Sequence, residues 1–208
     1  MTNREKAQQL DPDFVVMAYC NGYFPMADPR THAVSWYSPN PRAIIPLDGF
    51  KVSRSLRRRI KKNVFEIRID TSFEEVIRQC SERDETWISA EIVRVYTVLH
   101  KKGFAHSVES WSGGTLAGGL YGVAINGAFF GESMFSKQSD ASKIALVHLV
   151  DYLKARRFKL LDTQYINEHI SQFGAVEISR SSYLSLLSEA LRIETQFLDR
   201  PDNHAESV

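Results

Sequence analysis

Cysteine is scarce in this chain: Cys20 and Cys80 stand far apart, with no C-x-x-C pair. A disulfide framework and a zinc knuckle are both excluded by that spacing, and free thiols fit a reducing compartment. No apolar run approaches the ~18 residues that a membrane span needs. Nor does one follow the charges of the first fourteen residues, so no secretory leader is expected and a cytoplasmic protein is. The six histidines, His32, His100, His106, His148, His169 and His204, show no metal-ligand spacing. No metal and no cofactor are expected. A G-x-S-x-G elbow is missing too, which leaves serine nucleophilic catalysis without support. Net charge is only +1, so any grip on nucleic acid must come from a local patch.

What the sequence does have is 208 residues, 43% of them hydrophobic, enough to bury a substantial core. Asp11 and Pro12 open a first helix that carries Val15, Ala18 and Tyr19 and ends at Asn21-Gly22. From Phe24 to Pro46 lie five of the seven prolines, and this stretch reads as extended and loop-like, anchored by aromatics. A small N-terminal domain over 1–40 is expected, followed by a larger one over 41–208 whose tail after about residue 200 is disordered.

Residues 51–62, KVSRSLRRRIKK, hold seven basic residues and no acid. On a helix, Arg54, Arg57, Arg58, Lys61 and Lys62 fall on one face, with Val52, Leu56 and Ile60 opposite. An ordinary solvated helix gains from opposite-sign pairs one turn apart, and this one only accumulates repulsion. Phosphate binding explains it better. A strand over 64–69 follows, then a short helix through Ile77 with Ser72 and Glu75 as a capping box, then a helix bearing Ile92, Tyr96 and Leu99.

Between Ala105 and Ser136, turns at Gly113-Gly114 and Asn126-Gly127 divide the chain into three antiparallel strands. Ser139 or Asp140 then caps an apolar helix, in which His148 is expected to be a satisfied core group. A short strand, Leu160 to Thr163, comes next, and a strand–helix–strand crossover makes it parallel to the strand at Phe129. A helix, a strand and a closing helix complete the chain. The fold class is α/β in the α+β sense, with a mixed, mostly antiparallel sheet.

Polar groups near the carboxyl end of interior strands are the natural place for a site. Asp162 and Gln164 occupy such positions, and Glu132 sits on the partner strand. Two carboxylates and a carboxamide there could hold a cationic group and take a proton from an amine, though a lone strand acid is more often only an ion-pair partner. Met26, Trp36, Trp87, Trp111, Leu120, Phe129 and Met134 are apolar residues, some on the same hairpin as Glu132, that could build a pocket, against the plainer reading of core packing.

Several words of the chain belong together: Gly22-Tyr23-Phe24-Pro25, Trp36-Tyr37-Ser38-Pro39, Thr86-Trp87-Ile88, His106-Ser107-Val108-Glu109, Gly131-Glu132-Ser133-Met134-Phe135-Ser136 and Leu161-Asp162-Thr163-Gln164. In this order they closely resemble the leucyl/phenylalanyl-tRNA-protein transferase family, from about Phe14 to Leu187. The resemblance implies a C-terminal domain of the GNAT acetyltransferase-like fold. It implies transfer of Leu or Phe, less readily Met, from aminoacyl-tRNA to proteins beginning with Arg or Lys, marking them for N-end-rule degradation.

By the same resemblance, Asp162, Gln164 and Glu132 are the catalytic and acceptor-binding residues, and Trp87, Leu120, Phe129 and Met134 the aminoacyl pocket. Arg54, Arg57, Arg58, Lys61 and Lys62 belong to the tRNA-binding cluster, with Met26 and Trp36 as candidates for contact with the terminal adenosine. The family's Phe-Pro-Trp reads Phe24-Pro25-Met26 here, and Leu120 stands where Met is common. A monomer is expected. Two other readings remain: an acyl-CoA-dependent GNAT enzyme, disfavoured because the loop Ser136 to Ala141 has no glycine to receive a pyrophosphate, and a non-catalytic RNA-binding module using the basic stripe.

Overall fold

A computed structural model describes residues 10–82 and 86–199. The expected disordered tail lies outside the described residues. Helix α1 (Pro12–Cys20) starts as its sequence dictates, with the Asp11 carboxylate accepting from the N–H groups of Asp13 and Phe14 and Pro12 in the first turn. Strands β1 (Phe24–Ala27) and β2 (Val34–Tyr37) pair as a separate two-stranded sheet.

The proline-rich stretch was expected to be loop, and here the structure differs. Besides that hairpin it supplies β3 (Arg42–Ile44), which inserts into the main sheet between two later strands. Proline removes a ladder donor only at its own position, so the three residues after Pro41 remain free to pair.

Helix α2 (Arg54–Lys61) is capped by Ser53 and turns Leu56 into the core. After it come β4 (Glu66–Ile69), α3 (Phe73–Ser81) and α4 (Ala90–Lys101). The capping box expected at α3 does not form. Ser72 instead donates its N–H to the buried Glu109 carboxylate at 2.8 Å, while Glu75 pairs with Arg78. Helix α3 also runs one turn longer than expected.

Strands β5 (Ala105–Ser112), β6 (Thr115–Ile125) and β7 (Ala128–Ser136) form the expected antiparallel meander. Helix α5 (Ala141–Ala155) carries the chain across the sheet to β8 (Leu160–Gln164), which runs parallel to β7. Asp140 stands at the N-cap of α5 without capping it; its carboxylate faces Arg59 and Lys143 instead. The helix is buried on most of its surface, but His148 lies on the one exposed strip and is not a core group. Short α6 (Glu168–Ser171), β9 (Val176–Ile178) and α7 (Arg180–Leu191) close the fold.

The main sheet has the order β4-β5-β6-β7-β8-β3-β9, mixed and mostly antiparallel. Two apolar clusters cover its faces. One gathers α1, α3, α4 and α7 around Tyr19, Tyr96, Tyr121 and Phe130; the other gathers α2 and α5 around Leu120, Phe129 and Leu149. Each fully buried Leu or Phe contributes about 1.5–3 kcal/mol, so both layers are needed to hold the sheet.

Candidate active site

The site begins with a strand irregularity. In the β6–β7 ladder Tyr121 faces Ser133 while Gly122 faces Gly131, so Glu132 is an extra residue on β7. Such a bulge bends its strand and resets the in–out alternation. Gly122 is required opposite it, because a Cβ there would meet the Phe130 carbonyl at 2.3 Å. Glu132 follows Phe130 by ordinary alternation into the tyrosine layer, and the phase change after it sends Met134 toward the α5 layer. On the other side of β7, parallel pairing with β8 stops at Phe130 and Asp162. Beyond that point the strands part, and a cavity of about 660 Å³ opens between Gly131–Ser136 and Thr163–Tyr165.

Glu132 stands at this opening. Its Oε1 accepts from the Tyr19 hydroxyl at 2.7 Å and from the Gln164 side-chain amide at 3.0 Å, and its Oε2 accepts from the Tyr96 hydroxyl at 3.3 Å. The Tyr19 hydroxyl oxygen also lies within hydrogen-bond reach of the Tyr96 hydroxyl, whose single proton is shared between Tyr19 and Glu132. Burial pushes the Glu132 carboxyl up to about 7; the Tyr19 bond opposes this, the Asp162 charge adds to it, and Tyr96 and Arg42 oppose it. Burial, with Glu132 next, raises both tyrosine hydroxyls well above their ordinary value, so they stay protonated donors.

Asp162 lies behind, fully buried and off the cavity wall. Arg42 grips it with two bonds, Nε to Oδ1 at 3.0 Å and Nη2 to Oδ2 at 2.6 Å, a forked pairing that fixes geometry as well as charge. The Tyr183 hydroxyl donates to Oδ2 at 2.7 Å, and the Gln164 backbone N–H donates to Oδ1 at 2.9 Å. That last bond matters because Gln164 has φ +57°, a left-handed conformation that costs a side-chain-bearing residue about 1–2 kcal/mol. Asp162 thus holds the strained backbone from which the Gln164 side chain reaches Glu132.

The cavity floor is apolar, with Leu120, Met134, Leu146, Leu149, Leu161 and Ile170; Trp87 and Met26 stand at its wall. Of the expected pocket residues, Phe129 is the exception. It is wholly buried beneath the floor, its ring 5.4 Å from that of Phe197 and over Gly122. Strand alternation explains this, since Phe129 precedes the bulge and points into the α5 layer below the gap. Trp36 is also away from the cavity, edge to face with Phe14 at 5.1 Å. Arg54, Arg57, Arg58 and Lys61 lie exposed on α2, and Lys62 lies exposed at its C-cap. Between them and the sheet, Arg59 donates to the Ser139 carbonyl at 3.1 Å and ties α2 to the start of α5.

The model of the leucyl/phenylalanyl-tRNA protein transferase family matches residues 44–188, and that of the family's N-terminal domain matches residues 8–40. The chain belongs to this transferase family. It is 50% identical to a leucyl/phenylalanyl-tRNA–protein transferase of Salinibacter ruber over 96% of this chain and 88% of that protein. It is 52% identical to one of Herpetosiphon aurantiacus over 91% of this chain and 99% of that protein. Among solved structures, L-PGS from Bacillus licheniformis matches with TM-score 0.45 and 12% identity, covering 86% of this chain and 70% of that one.

In this transferase the residues that sequence reasoning missed are the donors around the two acids: Tyr19, Tyr96, Tyr183 and Arg42. Arg42 falls between the two matched stretches of the family. One signal was available for the tyrosines. Tyr19 and Tyr96 fall on apolar helix faces, and a buried tyrosine hydroxyl must find a partner. Nothing in the sequence said that the partner is a carboxylate more than thirty residues away.

Proposed function

We propose that this cavity is where an aminoacyl-tRNA of Leu or Phe, less readily Met, meets the N-terminal amine of an acceptor protein beginning with Arg or Lys. The single observation that carries the reading is the junction itself. An apolar floor sized for a large uncharged side chain adjoins Glu132 and Gln164 where β7 and β8 part.

The donor side chain lies on the floor, which leaves its ester carbonyl at the Gln164 rim. An aminoacyl ester is already activated, so placing the amine against it and removing a proton supply most of the acceleration. The acceptor α-ammonium, held by Glu132, releases one proton to solvent, and its nitrogen then attacks the ester carbon while passing a second proton to that carboxylate. The carbon–oxygen bond to the ribose then breaks, and the departing hydroxyl of the tRNA takes a proton back. A carboxyl near 7 suits both directions of this exchange. Beyond Phe130 the β8-facing edge of β7 has no strand partner among the described residues, so its N–H groups are available to the oxyanion. Gln164 orients Glu132, and Asp162 acts through the Gln164 backbone as a positioning residue.

The exposed cations of α2 take the tRNA phosphates, Trp87 closes the side-chain pocket, and Met26 at the cavity wall flanks the terminal adenosine. Action as a monomer in the cytoplasm, without metal or cofactor, completes the proposal. Radiolabelled Leu-tRNA incubated with a peptide beginning with Arg is the test. Label should move to that peptide and not to one beginning with Gly; equal labelling of both, or of neither, overturns the reading.

A further inference from the structure

Buried polar atoms in native proteins almost always have hydrogen-bond partners, because an unpaired one costs stability. Two that lack them belong to residues of the cavity wall: Oγ1 of Thr163 on β8 and Nε2 of His169 on α6. Thr163 alternates with Asp162, so it faces the α5 layer together with Leu161, beside the apolar floor. His169 approaches the same layer from α6, its ring edge to face with Phe173 at 6.0 Å. Ile170, the next residue, is part of the floor. Neither orphaned atom takes part in the Glu132–Gln164 network.

We propose that Thr163 and His169 form a subsite for the free α-amino group of the donor amino acid, and that this subsite selects aminoacyl-tRNA over N-acylated tRNA. The inference rests on the transfer reaction proposed above.

Three considerations support it. The α-amine is joined to the same carbon as the side chain, so a group seated on the floor brings its amine to the adjoining wall. Both atoms are also suited to receive a donor. Burial, and after it the charge of Lys143, lowers the His169 pKa, and a neutral ring with its proton on Nδ1 offers a lone pair at Nε2. The Thr163 hydroxyl offers another. Lys143 itself faces Asp140 at 3.4 Å, which offsets its repulsion of an incoming ammonium. Finally, both atoms are closed to solvent, and the stretch after Thr163 that carries His169 is bounded by two left-handed residues, Gln164 and Gly174. A shift of residues 165–173 on ligand entry would open them to the cavity. An N-acyl group removes hydrogens from the amine and adds bulk against this wall, so the selectivity follows from the contact.

The test compares Leu-tRNA with N-acetyl-Leu-tRNA as donors to an Arg-initiated peptide, using the wild-type protein, Thr163→Val, Thr163→Ser and His169→Phe. The wild type should prefer the free-amine donor. Thr163→Val should lose about tenfold in kcat/KM with Leu-tRNA, the worth of one such hydrogen bond, and nothing with the acetylated donor. Thr163→Ser should keep the wild-type preference. Because Thr163→Val replaces an orphaned hydroxyl with a methyl group, its melting temperature should equal or exceed that of the wild type. A merely structural hydroxyl predicts the opposite: a lower melting temperature and equal loss with both donors. An unchanged preference in Thr163→Val and His169→Phe overturns the inference while leaving the transfer reaction intact. Failure of the wild type to use Leu-tRNA overturns both.

Discussion

Two carboxylates stand within one network and live under opposite conditions. Asp162 has a guanidinium fork, a tyrosine hydroxyl and a backbone N–H on its two oxygens, and no surface exposed. Glu132 has three neutral donors, no cation in contact among the described residues, and an opening onto the cavity. The first is saturated and fixes geometry; the second is left short of charge compensation, which is why its carboxyl rises to about 7. Proximity in a fold does not make two acids equivalent. Their partners divide them into a strut and a reactive group.

Removing the Arg42 cation should produce the largest effect. Arg42→Met leaves the buried Asp162 carboxyl without its cation, and breaking a buried pair in this way costs about 3–5 kcal/mol. Urea unfolding of this variant should show that loss, and the double variant Arg42→Met/Asp162→Asn should recover most of it. A loss below about 1 kcal/mol in the single variant would mean that the division drawn here is wrong.

Glu132→Gln should show the converse, a stability held or raised and a transfer rate down by about 10²–10⁴, the usual worth of a positioned acid–base group. The pH behaviour has a definite sign. Glu132 titrates near 7 when folded and near 4.5 when unfolded, so between those values the folded state binds more protons. Stability therefore falls as pH rises from about 4.5 to about 7 and is level above that. Transfer should climb over the same range as the carboxylate forms. Unfolding curves collected from pH 4 to 8 should lose this slope in Glu132→Gln and keep it in the wild type.

How much of this was legible beforehand depends on the range of the interaction. Helix α1, the β5–β6–β7 meander and the parallel β8 are written in caps, turn residues and periodicity, all of which act within a few positions. Glu132, Asp162 and Gln164 could be singled out because they interrupt apolar strands. The Glu132 bulge could not, since it depends on how Gly122 of one strand meets two residues of another, and with it went the side of the sheet on which Met134 lies. Arg42 was hidden for a similar reason. Its stretch looks like loop by composition, and only the arrival of β8 and β9 on either side makes it a strand. The Ser72 capping box was a local signal overruled by a distant acid, Glu109.

Gln164 allows a finer cut between strut and reactive group. Asparagine tolerates the left-handed conformation at least as well as glutamine, so Gln164→Asn should fold normally. Its amide is one methylene too short for the 3.0 Å contact with Glu132. Transfer should drop about tenfold, the worth of one hydrogen bond to a charged group, with the Asp162 side of the network unaltered. Equal rates in the two proteins would assign the work of Gln164 to its backbone alone.

The smallest effects belong to cations of the same chemistry as Arg42 in the opposite setting. Arg57, Arg58 and Lys61 are exposed on α2 and carry no acidic partner among the described ion pairs. Replacing one by Gln should change stability by less than about 0.5 kcal/mol. Each replacement should instead reduce the slope of log affinity for tRNA against log salt by about 1, since one phosphate contact and its released counterion are lost. Arg59 is the internal control on the same helix. It is committed to Ser139 and Asp140, so Arg59→Gln should loosen α2 from α5 and lower the melting temperature while leaving the salt slope nearly as it was. A guanidinium bonded within the fold is read by denaturant and one facing solvent by salt, and the two readouts on a single helix separate those roles without reference to the reaction.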